Sequence, residues 1–410
     1  MKVVILSKSD GTGGAAIVSC RLMEALRAEG VDARILVAEK ITDSPYVEVA
    51  FSSFLRKYEF LRERISIFCA NGFNRSTLFK IDDGAGGLPL WKHPWIKEAD
   101  AVIINWVNQG FLSLKGVYKI ALMGKKIIWT MHDMWNFTGI CHHAGECRHF
   151  LEECGNCPLL GKNAAPRDLS HKTWIKKSDL YDSVPIHFVA VSSWLKDLAG
   201  KSSLLSNQVI SLIPNAFPLT KSESELHSES QKRYIIFGAA RIDDDIKGFP
   251  ILKDALKIFK EKYPERARNT ALLLYGAVKD RTQLENIAID CEYEGTVNGF
   301  ENLRKLYDRG DVVASTSLYE NLPGTLIEGQ AFGCVPVSFD RGGQRDIIDH
   351  LSTGYLVPWS DNPRQRAEAF AVGLAWALQN RPHILLPMRS SVFSRFSYPA
   401  VASAYLSLLQ

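Results

Sequence analysis

The sequence contains no long apolar run, and this absence excludes a conventional membrane-spanning helix. Crossing a bilayer takes roughly 18 or more consecutive apolar residues, and no stretch of the 410 residues reaches that length. The opening MKVVILSKSDGTGG has a short apolar run that soon ends in Ser, Lys and Asp, whereas a signal peptide needs a longer apolar region. We interpret this run as a β-strand and expect a cytoplasmic protein, with peripheral contact to the inner face of the cell membrane left open.

A strong charge of either sign is also lacking. The formal net charge is +4, from 49 Lys and Arg against 45 Asp and Glu. Nucleic-acid-binding proteins usually show a concentrated basic stripe, so we expect no nucleic-acid partner, although a mild positive charge suits an anionic ligand. Low-complexity tracts and short-period repeats are absent as well, and the length is sufficient for two globular domains.

The sequence does contain a repeated alternation of strand-like and helix-like segments. KVVILS and DARILVAEK predict strands on either side of an amphipathic helix that stops at Gly30. Such a β-α-β unit predicts a parallel sheet with a right-handed crossover. Further strands are predicted at ADAVIINWV, KKIIWTMHD and IHFVAVSSWL. Beyond the polar segment PLTKSESELHSESQKR, the alternation restarts with RYIIFGAA, TALLLYGA, YEGTV, DVVASTS and VPVSFD.

This alternation predicts two Rossmann-like α/β domains in tandem. We place the first at residues 1–215, with a cysteine-rich insertion at 139–160, and expect the terminal helix at 396–410 to join it. The predicted linker is 216–232 and the second domain 233–395. Open parallel sheets bind ligands beyond the carboxyl ends of their strands, so domains that face each other could hold a ligand in a cleft.

A glycine loop follows the first predicted strand. Gly11, Gly13 and Ala16 have the G-x-G-x-x-G/A spacing, which lets backbone N–H groups approach a phosphate at a helix N-terminus. Glu39, at a strand end, could bind a ribose as in dinucleotide-binding proteins. The spacing predicts contact with a phosphate or a sugar, and a flexible turn without a ligand is the alternative.

Two basic residues follow the strand RYIIFGAA in the second half. Arg241 supplies a fork-shaped guanidinium and Lys247 a point-like ammonium, a combination that suits a diphosphate. Three aspartates, residues 243–245, lie between them. Spacing alone therefore supports a solvated loop equally well.

Two acidic residues flank a Pro-Gly turn that leads into the predicted helix GTLIEGQAFG. Pro323 fits the first turn of that helix, and Glu328 would lie about one and a half turns along it. Its carboxylate could accept hydrogen bonds from the vicinal hydroxyls of a ribose. Glu320 precedes the helix, beside the outward-pointing amides of residues 322–325, where an anion or a hydroxyl could bind. For either acid alone, a solvated side chain is the ordinary interpretation.

The segment ENLPGTLIEGQAFGCVPV resembles the E-x7-E signature of family 4 retaining glycosyltransferases, which have the GT-B fold. VSSWL…ISLIPNAF, GAARIDDDIKGF and GGQRDII…TGYLV resemble further landmarks of that family, in the same order. The resemblance spans nearly the whole chain and implies two Rossmann-like domains facing across a cleft. Two departures are Gly329, where the family usually has alanine, and the lack of a glycine after Asn215.

The resemblance implies a role for each matching residue. Glu328 would bind the nucleoside ribose, and Glu320 would hold the donor sugar beside its anomeric carbon. Arg241 and Lys247 would neutralise the diphosphate, and His132 would contact the transferred sugar, although without the family we would interpret it as a structural histidine. The resemblance also implies diphosphate contacts from Gly13 and Gly14, and sugar contacts from the backbone of Asn321, Leu322, Pro323, Gly324 and Thr325.

The implied reaction is transfer of a hexose from a nucleotide sugar to a glycan acceptor, free or lipid-linked, in polysaccharide biosynthesis. Retention of anomeric configuration is expected on family grounds alone. Breaking the sugar–phosphate bond leaves negative charge on the diphosphate, and preorganised cations and helix-end amides stabilise that charge. The sequence has no obvious paired-aspartate metal motif, and we expect catalysis to need no cofactor.

A cysteine cluster lies in GICHHAGECRHFLEECGNCPLL, directly after His132. Its last two cysteines form C-x-x-C, a spacing suited to one tetrahedral metal, and a reducing compartment favours structural zinc over disulfides. Free thiols or a redox pair are the alternatives. A subset of the resembling family carries a similar Trp…Thr-Gly…Cys segment. The predicted zinc ligands are Cys141, Cys147, Cys154 and Cys157, with His142, His143 and His149 as substitutes.

Two other functions remain open at this point. A dinucleotide-dependent oxidoreductase would use the glycine loop but would leave the charged residues of the second half unexplained. A catalytically inactive, zinc-bearing carbohydrate-binding protein would keep the site without turnover.

Overall fold

The structure is a computed structural model that describes residues 1–219, 232–297 and 299–410. The described residues form two compact units. The first unit comprises Met1–Ala216 and Tyr398–Gln410, and the second comprises Phe217–Ser397.

The linker that the sequence places at 216–232 lies mostly outside the described residues, because residues 220–231 are not among them. The C-terminal helix, predicted at 396–410, spans Tyr398–Leu409 and packs on the first helix of the first unit.

A seven-stranded parallel sheet forms the centre of the first unit, in the order β3-β2-β1-β4-β5-β6-β7. The strands are β1 Lys2–Ser9, β2 Asp32–Glu39, β3 Val47–Val49, β4 Ala101–Ile104, β5 Lys126–Met131, β6 His187–Ala190 and β7 Ile210–Leu212. The helices of this unit are α1 Gly14–Ala28, α2 Ser53–Ala70, α3 Pro94–Glu98, α4 Leu114–Ala121, α5 Leu169–Ser183 and α6 Ser193–Lys201.

The apolar run at the start of the chain becomes a central strand because both of its faces are covered. Val3 and Ile5 pack into one hydrophobic core, and Val4 and Leu6 pack into another on the opposite face. Successive side chains of a strand point to opposite faces, so a strand buried on both sides needs an uninterrupted apolar run.

A second parallel sheet forms the centre of the second unit, and its described residues give six strands in the order β10-β9-β8-β11-β12-β13. The strands are β8 Arg233–Arg241, β9 Thr270–Ala277, β10 Asp290–Tyr293, β11 Val312–Ser315, β12 Val335–Phe339 and β13 Tyr355–Val357. The helices are α7 Phe249–Lys262, α8 Pro264–Arg268, α9 Phe300–Tyr307, α10 Gly324–Ala331 and α11 Pro363–Phe396.

The strand predicted at YEGTV is wrong. The strand in this region is β10, Asp290–Tyr293, which pairs with β9 through four residues. Gly295, with a φ of 68°, follows soon after the strand, and its carbonyl accepts a hydrogen bond from the N–H of Gly276. A left-handed backbone at that point turns the chain out of the sheet.

Both sheets are therefore open parallel sheets covered by helices, the architecture that the alternating pattern predicts. Within the described part of the chain, no helix combines the length and the apolar character needed to cross a membrane.

Candidate functional site

The second sheet has a topological switch point between β8 and β11. The first strand of this unit, β8, pairs with β9 on one side and with β11 on the other, so the chain builds the sheet outward in two directions from there. In open parallel sheets, the loops at such a point diverge and leave a crevice at the carboxyl ends of the strands. Arg241 is the last residue of β8, Lys247 lies in the loop after it, and Glu320 follows β11.

The loops after β8 and β11 are fixed to each other by backbone contacts. The N–H of Leu318 donates to the carbonyl of Ile246 at 2.8 Å, and the Thr316 hydroxyl lies 2.9 Å from the carbonyl oxygen of Gly248. A Cβ atom at Gly248 would lie 2.3 Å from the Thr316 carbonyl oxygen, and the φ of Gly248 is 64°. The close approach of the two loops therefore requires glycine at 248.

Lys247 and Glu320 meet at this point, although 73 residues separate them in the chain. The Lys247 Nζ lies 2.6 Å from Oε1 of Glu320, and the Ser317 hydroxyl donates to the same oxygen at 2.9 Å. The two charged side chains are 30% and 20% exposed, so both remain accessible to a ligand. The contact is charge-assisted and positions the two groups against each other.

A third loop, after β12, supports the backbone of Glu320. The N–H of Gly343 donates to the Glu320 carbonyl at 3.0 Å. A Cβ at Gly342 would lie 2.1 Å from that carbonyl oxygen, so the contact is possible only with glycine. This explains Gly342, the first glycine of the GGQRDII segment.

Arg241 lies at the end of β8 and contacts the aspartates that follow it. Its Nε is 3.4 Å from Asp243, and a terminal nitrogen is 3.8 Å from Asp244. The N–H groups of Asp280 and Lys279 bind the Asp243 carboxylate and lower its pKa. Arg241 is thus held near the edge of the sheet by acids, with 42% of its side chain exposed.

Glu328 lies within α10 and is buried. Two tyrosines lie near it, with the hydroxyls of Tyr275 and Tyr307 2.7 Å apart. Burial raises the pKa of Tyr275, and the Glu328 charge raises it further. An acid with only 7% of its surface exposed is not the solvated side chain that its position alone would suggest.

The helix that carries Glu328 begins at Gly324, one residue later than predicted. Pro323 is the residue before the first helical position and has an extended backbone. Gly329, a departure from the family pattern, has a local reason: a Cβ at this position would lie 2.5 Å from Cγ1 of Val313 on β11. The β-branched valine occupies the space that an alanine methyl would need.

The first unit has its own switch point, between β1 and β4, and the glycine loop lies there. The Ser9 hydroxyl oxygen accepts hydrogen bonds from the N–H groups of Gly11 and Thr12, each at 3.2 Å. Gly13, with a φ of 87°, precedes α1, and a Cβ at Gly13 or Gly14 would meet nothing within 4 Å. The loop therefore uses two of its amides internally and leaves open space beside the two glycines.

A cavity of about 240 Å³ lies beside this loop. Lys8 lies in its wall, with Nζ 3.2 Å from the carbonyl of Gln109 and 3.9 Å from Glu39. Burial lowers the pKa of Lys8. Glu39 thus has a basic neighbour. Sequence reasoning missed Lys8, Trp106 and Gln109, although Trp106 lies within the predicted strand ADAVIINWV and Gln109 follows it. The lining residues are Ser7, Lys8, Ser9, Thr12, Ala15, Ala16, Glu39, Trp106 and Gln109.

His132 lies directly after β5, in the first unit. It borders a small cavity together with Asn105, Thr130 and Tyr405 of the C-terminal helix. Burial lowers the pKa of His132 to about 4, against a smaller opposing effect of Asp133. The imidazole is therefore neutral at physiological pH, and it can exchange hydrogen bonds without carrying charge.

A network of buried acids and bases lies next to His132, and sequence reasoning missed it. Asp133 accepts hydrogen bonds from Trp106 at 3.0 Å and contacts Nδ1 of His142 at 2.9 Å. Burial opposes ionisation of Asp133, but the His142 imidazole lowers the pKa of the acid to about 2. His142, proposed as a substitute zinc ligand, thus already uses one ring nitrogen in this pair.

The four predicted zinc ligands all line one cavity of about 20 Å³. Burial is the largest influence on three of the thiols and raises the pKa of Cys141 and Cys157 to about 12 and that of Cys154 to about 11. The neighbouring thiols act in the same direction. The cavity is lined by Gly139, Ile140, Cys141, Ala144, Cys147, His149, Phe150, Cys154, Gly155, Cys157 and Ser170.

Residues 220–389 match the family model of Glycosyl transferases group 1. Among curated proteins, a GDP-mannose-dependent alpha-mannosyltransferase of Mycobacterium tuberculosis (strain CDC 1551 / Oshkosh) is 28% identical over 167 residues, which cover 39% of this chain and 42% of the relative. The chain spans about two fifths of the length of the curated relatives it matches.

Solved structures resemble the chain over its full length. Anabaena Alr3699/HepE, in complex with UDP and glucose, has a TM-score of 0.58 at 15% identity, covering 100% of this chain and 99% of that one. A glycosyltransferase from Rickettsia africae ESF-5 has a TM-score of 0.60 at 15% identity, covering 100% and 97%. These likenesses confirm the predicted fold class: the chain has a GT-B fold of two Rossmann-like units, and the family match falls in its second unit.

Proposed function

We propose that this protein is a glycosyltransferase that moves a hexose from a nucleotide-diphosphate sugar to a glycan acceptor, free or lipid-linked, with retention of configuration. The observation that carries the proposal is the 2.6 Å contact between Lys247 and Glu320 at the switch point of the second sheet. The family match over residues 220–389 supports it, because the same residues hold all four charged positions assigned to the donor.

The two basic residues can stabilise the departing diphosphate. Arg241 is the last residue of β8 and Lys247 follows that strand, so both lie at the carboxyl edge of the sheet. Cations fixed in advance stabilise negative charge as it develops, without reorganising during the reaction. A bound diphosphate would compete with Asp243 and Asp244 for the Arg241 guanidinium, so these two aspartates occupy the position of the ligand in its absence.

The two acids can hold hydroxyl groups of the donor. Glu320 has one oxygen occupied by Lys247 and Ser317, and its backbone is held by the Gly342–Gly343 loop. Glu328 lies one turn into α10, and the backbone of residues 321–325 lies between the two acids. An ionised carboxylate accepts but does not donate, which suits the paired hydroxyls of a ribose or a hexose.

The assignments in the first unit stay predictions. Gly13 and Gly14 have open space beside them, which suits a backbone that approaches a phosphate closely. His132 is neutral and can accept or donate a hydrogen bond to a sugar hydroxyl. Substitution of these three residues tests their roles, and cell fractionation tests the proposed cytoplasmic location and peripheral membrane contact.

Donor binding and turnover test the proposal. We expect UDP or GDP to raise the melting temperature and the intact protein to release free sugar slowly from the matching nucleotide sugar. Both bases are included because one relative is named for GDP-mannose and one similar structure contains UDP. Glu320→Gln should abolish turnover, whereas Glu301→Gln, at an exposed acid of the same unit, should not.

Two results would contradict the proposal. Stabilisation by NAD but by neither nucleotide would favour the oxidoreductase. Nucleotide-sugar binding without any turnover, with or without a glycan acceptor, would favour an inactive binding protein. The anomeric configuration of the product, measured by proton NMR, tests retention separately.

A further inference from the structure

The cysteine cluster belongs to a segment with little regular structure of its own. All residues from 132 to 168 are described, and between β5 and α5 they form only three short 3-10 helices, Trp135–Phe137, His149–Leu151 and Pro158–Asn163. A small hydrophobic cluster that includes Ile67, Ile81 and Leu160 packs against two of the cysteines. The residues around the cysteines lie in the loops between these short helices, and a bound metal ion would tie the loops together.

The backbone turns sharply at the C-x-x-C pair and is fixed there by hydrogen bonds. Asn156, between the two cysteines, has a φ of 47°, and the Cys157 N–H donates to Asp168 at 2.8 Å. The Gly139 N–H donates to Sγ of Cys154 at 3.2 Å. A hydrogen bond from a backbone amide stabilises a thiolate more than a thiol, because it favours the charged form.

We propose that Cys141, Cys147, Cys154 and Cys157 together bind one structural Zn²⁺. The observation behind this assignment is that all four line one cavity of about 20 Å³, a space large enough for a single small ligand but not for an organic molecule. Four sulfur ligands in a closed site are the usual set for structural zinc. The inference is independent of the proposed transferase activity.

Binding of zinc would bring the four sulfur atoms closer together. Among the described residues, one group of three potential metal ligands has its ligand atoms within 4.8 Å of one another, and it consists of Glu63, Asp82 and Asp83. The four thiols are farther apart than this. Two of those acids are already paired with Arg64, which lies 2.9 Å from Asp82 and 3.4 Å from Glu63. Zn–S bonds are about 2.3 Å long, so the four thiols would close around the ion from their positions on the cavity wall.

A buried cation next to the cluster fits the charge of such a site. Four thiolates and one Zn²⁺ carry a net charge of about −2. Lys177 on α5 is fully buried; its ammonium donates to the carbonyls of Trp135 and Thr138 and lies 3.6 Å from the Trp135 ring centre. Among the described residues no carboxylate lies at hydrogen-bond distance from this amine, and burial without such a partner disfavours its charged form. A negatively charged zinc–thiolate centre nearby would favour the charged form.

Metal analysis of the full chain, purified without a histidine tag, tests the proposal. We expect about one zinc ion per chain, and less than about a tenth of that in Cys154→Ser and in Cys147→Ser. Cys291→Ser and Cys69→Ser, at exposed cysteines outside the cluster, are the matched controls and should keep the metal. His149→Asn should also keep it, although His149 lines the same cavity.

A second measurement needs no variant to fold. Titrating the wild-type protein with an organomercurial should release zinc to a coloured chelator, and replacement by Co²⁺ should give intense tetrahedral bands with thiolate charge transfer. Absence of metal together with absence of a cobalt spectrum would overturn the proposal, as would a Cys154–Cys157 disulfide in freshly purified protein. Loss of zinc in His149→Asn with retention in Cys147→Ser would overturn the four-thiol ligand set.

Discussion

The two units of this protein share one topology and differ in what they place at its switch point. In the second unit, the loops after β8 and β11 bring Lys247 against Glu320 at 2.6 Å. In the first unit, the loops after β1 and β4 leave a cavity of about 240 Å³, in which Lys8 contacts a backbone carbonyl and lies 3.9 Å from Glu39. The parallel sheet decides where a ligand can bind, and the loop residues decide which chemistry is available there.

The largest expected difference concerns the two lysines. Lys247→Met should lower donor turnover by about 10²- to 10³-fold, because it removes a cation that faces the developing charge. Lys8→Met should lower turnover at saturating acceptor by less than about tenfold, because its ammonium is already held by a protein carbonyl. Steady-state kinetics of both variants measure the contrast. Equal losses of turnover in the two variants would show that stabilisation of the donor diphosphate is not specific to the second unit.

The second expected difference concerns acid stability and lies in the first unit. The pKa of His132 is about 4 in the folded chain and about 6.5 in the unfolded chain. The unfolded state therefore binds more protons between these values, and stability falls as the pH drops from about 6.5 to 4. Each pKa unit corresponds to about 1.4 kcal/mol, so the full loss is roughly 3 kcal/mol.

His132→Gln should flatten this dependence. Denaturant unfolding, followed at several pH values between 4 and 7, measures the effect, with His350→Gln in the second unit as the control. An unchanged slope in His132→Gln would show that the pKa of this histidine is the same in the folded and unfolded chain.

The third difference concerns the helices that follow the two loops. Gly329→Ala in α10 should destabilise the protein by about 1–3 kcal/mol, because the new methyl group would overlap Val313. Gly14→Ala in α1 should change stability by less than about 1 kcal/mol, because the space beside it is open and alanine favours a helix. Thermal unfolding compares the two; similar effects would mean that α10 can shift on the sheet.

The smallest expected effect concerns the aspartate beside Arg241. Asp243→Asn keeps an oxygen for the N–H groups of Lys279 and Asp280 but removes the charge that competes with a diphosphate. We expect the affinity for the nucleoside diphosphate to rise about two- to threefold, as is typical of an exposed ion pair. Titration calorimetry at low salt measures it. Weaker binding of the nucleoside diphosphate would show that Asp243 holds Arg241 in its binding position and does not compete with the ligand for it.

Several elements could be predicted because the pattern that specifies each of them lies within a few consecutive residues. The uninterrupted apolar runs at β1 and β9 predict strands buried on both faces, and the Pro-Gly turn before α10 predicts a helix start to within one residue. The prediction at YEGTV failed because only its first residue, Tyr293, pairs with β9, and the chain leaves the sheet after it. The short strands β3, β7 and β13 were not predicted, since three residues carry too little pattern.

The sequence by itself determined the fold class and the kinds of chemical group available: alternating buried strands and helices, acids and bases near a Pro-Gly helix start, and a cysteine-rich insertion. Only the tertiary structure decided which of these groups meet. Lys247 and Glu320 come together because β8 and β11 are neighbours in space, the four thiols share one cavity because the loop folds back on itself, and Glu328 is buried because α10 packs on β11. Such contacts depend on strand order and packing between distant segments, which no local pattern encodes.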